Sequence, residues 1–353
     1  MVMTISDEKI EVEAFDGHVH PRQGKLLKTI VPYTAKSCGS AIMILNYEKP
    51  VDTSEEALAC KQEILANVGD LNFTPYMTLM LTKNTNRQTV RDAKKEGMVG
   101  FKLIPAGTST GSENVGVTLF DLLSNKKSIL QEIRDQDSVF LIHLELIEDA
   151  SGNTIPLIKR EEAAIGFLDD IINQVPGLKI SVEHVTTRKL INYIVNLNSE
   201  YLGASLMPHY SCATYDMVCD EEGKVKDPLF YCLPILKLED DRLAVIEFMT
   251  GDYPRKWFAT DSAAHYIWNK IVPPYRAGLF TAPVAPLIVV SVFEEMNALS
   301  RLPAFFSKNI LKFFGLSSSG RKTTFKKEEW VVPKKIGGIS VFKGGETLTW
   351  QVS

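Results

Sequence analysis

Apolar residues in this chain gather in short continuous runs, separated by polar connections and helix-length stretches. The runs rich in strand-forming residues are Ile10–Phe15, Ser40–Leu45, Phe73–Leu81, Val99–Ile104, Val139–Leu144, Leu178–Val182, Leu202–Met207 and Trp257–Ala259. Helical candidates between them include Ser54–Asn67, Gln88–Lys95, Lys159–Gln174 and Leu238–Met249. Runs without apolar–polar alternation fit strands covered on both faces. Strands alternating with helices point to an α/β fold with a parallel sheet and helical crossovers. Eight such units are what a closed (β/α)8 TIM barrel requires. The same period also fits an open doubly wound sheet, so the choice rests on where the polar chemistry falls.

It falls at the run ends. His18 and His20 follow the first run and Asn46 the second; Lys102 lies in the fourth and His143 in the fifth. His184, His209 and Asp261 end the sixth, seventh and eighth, and His265 stands four residues beyond Asp261. In a barrel all these ends meet around one mouth. In an open sheet the first and last would lie far apart. The barrel is therefore the expected fold.

The longest apolar stretch, Gly278–Phe293, spans 16 residues and contains Pro283 and Pro286. It is short for a bilayer and reads as a buried helix packed on the sheet. After Gly315 the pattern changes. "SSSGRKTTFKKEEW" is polar and basic, and "WVVPKKIGGISVFKGGETLTWQV" has short β-type runs broken by glycine pairs. The expected organisation is a barrel over residues 1–315, then a linker and small C-terminal β extension over 316–353 packed on it.

Composition narrows the partners. The 353 residues are 45% hydrophobic and 23% charged with a formal net charge of −4, which gives no reason to expect nucleic acid or an anionic membrane. The N-terminus has no basic segment followed by an apolar run, so no signal peptide is expected. Five cysteines, Cys38, Cys60, Cys212, Cys219 and Cys232, form no CxxC pair, which argues against a disulfide framework and for a reducing cytoplasm.

Any one histidine beside an apolar run is commonly a hydrogen-bonded core residue. Here all six stand at or just beyond strand ends. His18 and His20, two apart, project from one strand face. Neutral imidazole suits zinc, and carboxylates complete such sites. Four histidines plus Asp261 exceed the three protein ligands of a single catalytic zinc, whereas two metals sharing a hydroxide would use them all. A bare ammonium at Lys102 would be repelled by two cations. A carbamylated Lys102 would instead offer a bidentate carboxylate; the alternative is a lysine pointing outward between helices.

With these motifs the sequence resembles the amidohydrolase superfamily, and within it the dihydroorotase family of the shorter, single-domain bacterial type. The resemblance runs along nearly the whole chain, through "DGHVHPRQG", "LKTIVPYTAK", "FTPYMTLMLT", "FKLIPAGTSTGSENVGVT", "SVEHVTT", "YCLPILK", "FATDSAAH", "AGLFTAP" and "VFEEMNAL". It implies one zinc on His18, His20, Lys102 and Asp261, and a second on carboxylated Lys102, His143 and His184. It implies that Arg22, Asn46 and His265 bind the substrate carboxylate and that main-chain groups of Leu233 and Ala277 contact the pyrimidine ring. The loop "PAGTSTGSENVGVT" would act as a lid whose tip hydroxyls, Ser109 and Thr110, reach the substrate. The implied reaction is the reversible cyclisation of N-carbamoyl-L-aspartate to L-dihydroorotate in pyrimidine synthesis, in the cytoplasm, by an enzyme that in this family is a homodimer.

The residue chemistry is suited to it. Two bridged zincs bring water to hydroxide near pH 7. Asp261 can shuttle the proton to the ring nitrogen, and Arg22 matches a carboxylate with a two-pronged fork. His209 is expected to support structure rather than bind a metal. Three stretches depart from the family pattern: Leu144 inside His143-Leu144-Glu145, "YSCATYDMVC" after His209, and the apolar "YIWNKIVPPYR" between His265 and Ala277. Two other functions remain to be weighed. A hydantoinase or dihydropyrimidinase would share the metals but need no carboxylate clamp. A catalytically inactive scaffold would be expected to lack ligands.

Overall fold

The computed structural model describes residues 3–6, 8–109, 112 and 116–353. Eight strands follow one another in chain order around one sheet: β1 (Phe15–Val19), β2 (Ser40–Met43), β3 (Thr74–Met80), β4 (Gly100–Leu103), β5 (Val139–Ile142), β6 (Lys179–Val182), β7 (Leu202–Leu206) and β8 (Lys256–Phe258). Every neighbouring pair is parallel. The seam between first and last is drawn together just past β8. There Val19 bridges Ser262, the Asp261 N–H donates to His18 O at 2.9 Å, and the His20 N–H donates to Ser262 O at 3.2 Å. The result is a nearly closed (β/α)8 barrel. Its strands are buried almost throughout, which is why they read as unbroken apolar runs.

The first run needs correction. Ile10–Phe15 is not one strand: Lys9–Val12 pairs antiparallel in a separate sheet, and the barrel begins at Phe15. Residues 9–12 alternate outward charge (Lys9, Glu11) with buried Ile10 and Val12, the pattern of a sheet with one wet face. Glu13 marks the break. Its carboxylate is held outside the barrel by the Ser318 and Ser319 hydroxyls and the Ser319 N–H.

Helices cover the barrel near the expected positions: Ser54–Leu65, capped by Thr53; Arg87–Lys95, with a reciprocal Asn86–Thr89 cap; and Glu239–Thr250. The candidate over 159–174 is broken into a 3-10 turn at Leu157–Lys159 and helices Arg160–Ala163 and Ile165–Gln174. Glu161, buried in the middle piece, is pulled inward to bind the loop after β6. In the long apolar stretch only Ala285–Glu295 is helical, with proline in its first turn where the missing N–H costs nothing. Leu279 and Phe280 stay extended and bridge Ser262 and Val341. No described helix is long and apolar enough to cross a membrane.

The appended sheet draws on both ends of the chain. Its order is Thr4–Ser6, Lys9–Val12, Thr323–Val331, Thr347–Val352, with Phe325 opposite Ile10. Phe325 stacks on Phe306 at 5.8 Å and the buried Trp350 donates its indole N–H to Glu294, which fixes the sheet to the barrel's helices. A short hairpin, Lys335–Ile336 with Ile339–Ser340, reaches the Tyr266 segment through an Ile339 bridge.

Candidate metal centre and substrate pocket

The C-terminal ends of the strands surround a cleft of about 430 Å3, open to solvent. His18, His20, Lys102, His143, His184 and Asp261 line it, and so do Arg22, Asn46, Ser109, Leu233, His265 and Ala277. Thr110, the other expected lid hydroxyl, lies outside the described residues. His209 stands away from the cleft lining. It is buried, neither ring nitrogen has a hydrogen-bond partner among the described residues, and its ring packs 4.2 Å from that of Tyr210.

Backbone geometry aims the ligands. His18 ends inside β1 and His20 follows it, so the pleat turns both rings to one side; their Nε2 atoms are 3.3 Å apart. His184, Asp261 and Arg22 have φ of 45°, 44° and 58°. Such left-handed backbone at a non-glycine residue costs about 1–2 kcal/mol, and three such residues at one mouth mark conformations that surrounding contacts must enforce. Asp16 supplies one set. Buried, it accepts from the His18 N–H (3.2 Å), the Thr260 N–H (2.8 Å) and the Thr260 hydroxyl (2.6 Å), tying β1 to the end of β8. Burial pushes its carboxyl up to about 7, and those donors oppose the rise. Glu161 supplies another, accepting from the N–H and hydroxyl of both Thr186 and Thr187 just after His184.

Two further acids set the imidazole tautomers. Glu183 lies 2.5 Å from His18 Nδ1 and itself accepts from the Ser181 and Ser205 hydroxyls. Glu145 lies 2.7 Å from His143 Nε2. A proton shared with each acid leaves His18 Nε2 and His143 Nδ1 as bare lone pairs facing inward. Burial pulls His18 and His184 well below the usual histidine range, into the neutral form that binds metal. Leu144, the bulky residue between His143 and Glu145, is taken up in the core at 1% exposure.

The donor set fits a cation. His18 Nε2 faces Asp261 Oδ1 at 3.5 Å and His20 Nε2 faces it at 3.3 Å, and one ligand atom from each residue falls within 4.8 Å of the others. Lone pairs so close repel unless a positive charge joins them. Lys102 points into the cleft wholly buried, its Nζ without a hydrogen-bond partner among the described residues, as is His184 Nδ1. Burial lowers the Lys102 pKa against the pull of Glu183 and Asp261, which favours the neutral amine that can add carbon dioxide. An unpaired buried amine is costly; a carbamate carrying metal on its oxygens is not.

Beside this centre Arg22 Nε donates to Ala264 O at 3.0 Å. His265 Nε2 lies 3.1 Å from both an Arg22 Nη atom and Ala277 O. Burial keeps His265 neutral, so Nε2 carries at most one proton. Given to Ala277 O, that proton leaves the facing Arg22 Nη–H without an acceptor on His265, at a residue that lines the cleft. Burial pulls Arg22 down to about 10, which keeps it cationic at neutral pH.

Sequence reasoning missed the supporting acids Asp16, Glu145, Glu161 and Glu183. A signal existed for three, each one or two residues from a histidine. Glu183→Gln should keep the fold but weaken zinc retention roughly 10–100-fold, read by competition with a chelator. Unchanged retention would remove Glu183 from the centre.

The chain is 35% identical to a dihydroorotase of Neisseria meningitidis over 344 residues, 96% of each protein. The solved dihydroorotase of Saccharomyces cerevisiae in complex with 5-fluoroorotic acid superposes with a TM-score of 0.90 at 27% identity over 98% of both chains. The dihydroorotase of Campylobacter jejuni superposes with a TM-score of 0.86 at 29% identity, covering 100% of this chain and 99% of its own. No protein-family model matches the chain.

Proposed function

The chain belongs to the dihydroorotase family, and on that premise we propose that it interconverts N-carbamoyl-L-aspartate and L-dihydroorotate at this cleft as a zinc-dependent hydrolase of pyrimidine synthesis. One observation carries the proposal: a carboxylate-seeking arginine and a cation-seeking cluster of imidazoles and Asp261 open into the same cleft.

His18, His20, Lys102 and Asp261 would hold one zinc, and carboxylated Lys102, His143 and His184 the other. Bound there, the pair would supply hydroxide near neutral pH and polarise the ring carbonyl. Asp261 takes the proton of the attacking water as the ring opens and returns it to the amide nitrogen as the C–N bond breaks; ring closure runs the same transfers backward. Arg22, Asn46 and His265 hold the substrate carboxylate, and main-chain groups of Leu233 and Ala277 flank the ring. Ser109, which lines the cleft, offers its hydroxyl to the bound substrate. We assign the barrel to residues 15–315 and the linker and extension to 316–353, the extension being completed by the N-terminal strands Thr4–Ser6 and Lys9–Val12. We place the enzyme, whose five cysteines are all free, in the cytoplasm as a homodimer.

A hydantoinase would leave Arg22 without a task, and a scaffold would not need six ligands converging. The test is an assay of the purified protein on L-dihydroorotate, hydantoin and dihydrouracil, with zinc measured alongside. Turnover of dihydroorotate alone, with about two zincs per chain, is expected. Arg22→Met should then lower kcat/KM about a hundredfold, the value of a charge-assisted two-pronged contact, with zinc content unchanged. Normal processing by that variant would remove Arg22 from the clamp.

A further inference from the structure

Between His265 and Ala277 runs a short helix, Ile267–Ile271, with its surface inverted. Trp268 (57%), Ile271 (50%) and the following Val272 (59%) face solvent, while Lys270 is buried at 3% exposure. Lysine is almost never fully buried unless paired; here the charge of Asp227 and the Cys232 thiol favour the ammonium, without a direct ion pair among the described residues. Its ammonium instead donates to two main-chain carbonyls, Tyr231 O at 2.6 Å and Gly278 O at 2.7 Å. Burial pulls it down to about 8, so at neutral pH it remains charged and its two hydrogen bonds are charge-assisted.

Gly278 lines the substrate pocket, and Tyr231 stands two residues before Leu233, which lines it as well. Tyr231 O also accepts the Gly278 N–H at 3.0 Å, so the irregular segment leading to Leu233 and the segment after Ala277 meet under the lysine. Gly278 fits tightly. At φ 133° any Cβ there would lie 2.4 Å from Ala263 O, beside the Ala264 carbonyl that receives Arg22. A small shift of the 277–278 segment would therefore disturb both the ring contacts and the His265 contact to Ala277 O.

We propose that Lys270 is a positioning residue of the substrate pocket: its ammonium clamps the Tyr231 and Gly278 carbonyls together and so fixes the spacing of Leu233 and Ala277 around the pyrimidine ring. The proposal rests on the reading of the cleft given above. It explains why a helix with Trp268 and Ile271 outside turns its one cation inward.

The test compares Lys270→Met and Lys270→Arg with the parent enzyme. Lys270→Met is expected to raise KM for L-dihydroorotate at least tenfold, with kcat within threefold and zinc content unchanged. It should weaken 5-fluoroorotate binding by a similar factor in calorimetry. Lys270→Arg, which keeps charged donors, should recover most of both. If Lys270→Met does not fold, Lys270→Gln, able to serve one carbonyl, takes its place with the same expected shift. Unchanged KM and ligand affinity overturn the proposal, as does zinc loss accompanying the defect. A parent enzyme inert toward dihydroorotate would instead overturn the reading of the cleft, an outcome visible before any variant is made.

Discussion

Asp261→Asn is expected to lose between about a hundredfold and ten-thousandfold in kcat, the usual contribution of a positioned general base, while the barrel stays folded and much of the zinc stays bound. The backbone tolerates the change. Asp261 sits at φ 44° with its N–H on His18 O, and asparagine is among the few residues enriched in that conformation. The side-chain oxygen that faces His18 and His20 can remain in place as an amide carbonyl. What disappears is the negative charge and with it the ability to accept a proton from the attacking water. Steady-state kinetics alongside zinc content separates the two effects. A variant with near-normal kcat would end the proton-shuttle role; one that loses all metal would make Asp261 chiefly a ligand.

Lys102→Ala should be as damaging by a different route. The side chain is wholly buried, with no hydrogen-bond partner for its nitrogen among the described residues, so its removal takes away an orphaned polar atom even as it opens a cavity. These effects on stability oppose one another, and the melting temperature should shift by only a few degrees. The metal centre has no such compensation. Without the bridging carboxylate, zinc should fall from about two per chain to one or fewer, and kcat by roughly a thousandfold, on the order of what a metal activating water supplies. Added acetate or propionate should return part of the activity by entering the vacated space. Zinc content that does not fall at all would refute bridging.

The sequence made the barrel legible because each strand is buried on both faces and so appears as an unbroken apolar run. It also exposed the metal candidates, because the fold collects strand ends at one mouth and the polar residues there interrupt apolar surroundings. The boundary at Glu13 was harder to see, since Ile10, Val12 and Ala14–Phe15 read continuously although they belong to two sheets. The break in the helix near Ala164 depends on Glu161 bonding Thr186 and Thr187, some 25 residues on. The Glu183 contact to His18 spans 165 residues. Neither contact leaves a trace in local periodicity. Lys270 was hidden for the opposite reason: Trp268, Ile271 and Val272 around it are apolar, and only the fold shows that they face outward while it faces in.

The sheet shared by the two chain ends bears on how the molecule is made. Val12 pairs with Thr323 and Ile10 with Phe325, so the strand at residues 9–12 leaves the ribosome long before its partner exists. At roughly 5–20 residues per second, the wait is on the order of 15 to 60 seconds. During that interval the segment is an unsatisfied strand edge, open to pairing with other nascent chains. Lys9 and Glu11, which form an ion pair on the outward face, place opposite charges along that edge and make a flat, wet-faced stacking unfavourable. Chains terminated before residue 323, which lack the strand that covers this edge, are expected to aggregate more than the full chain.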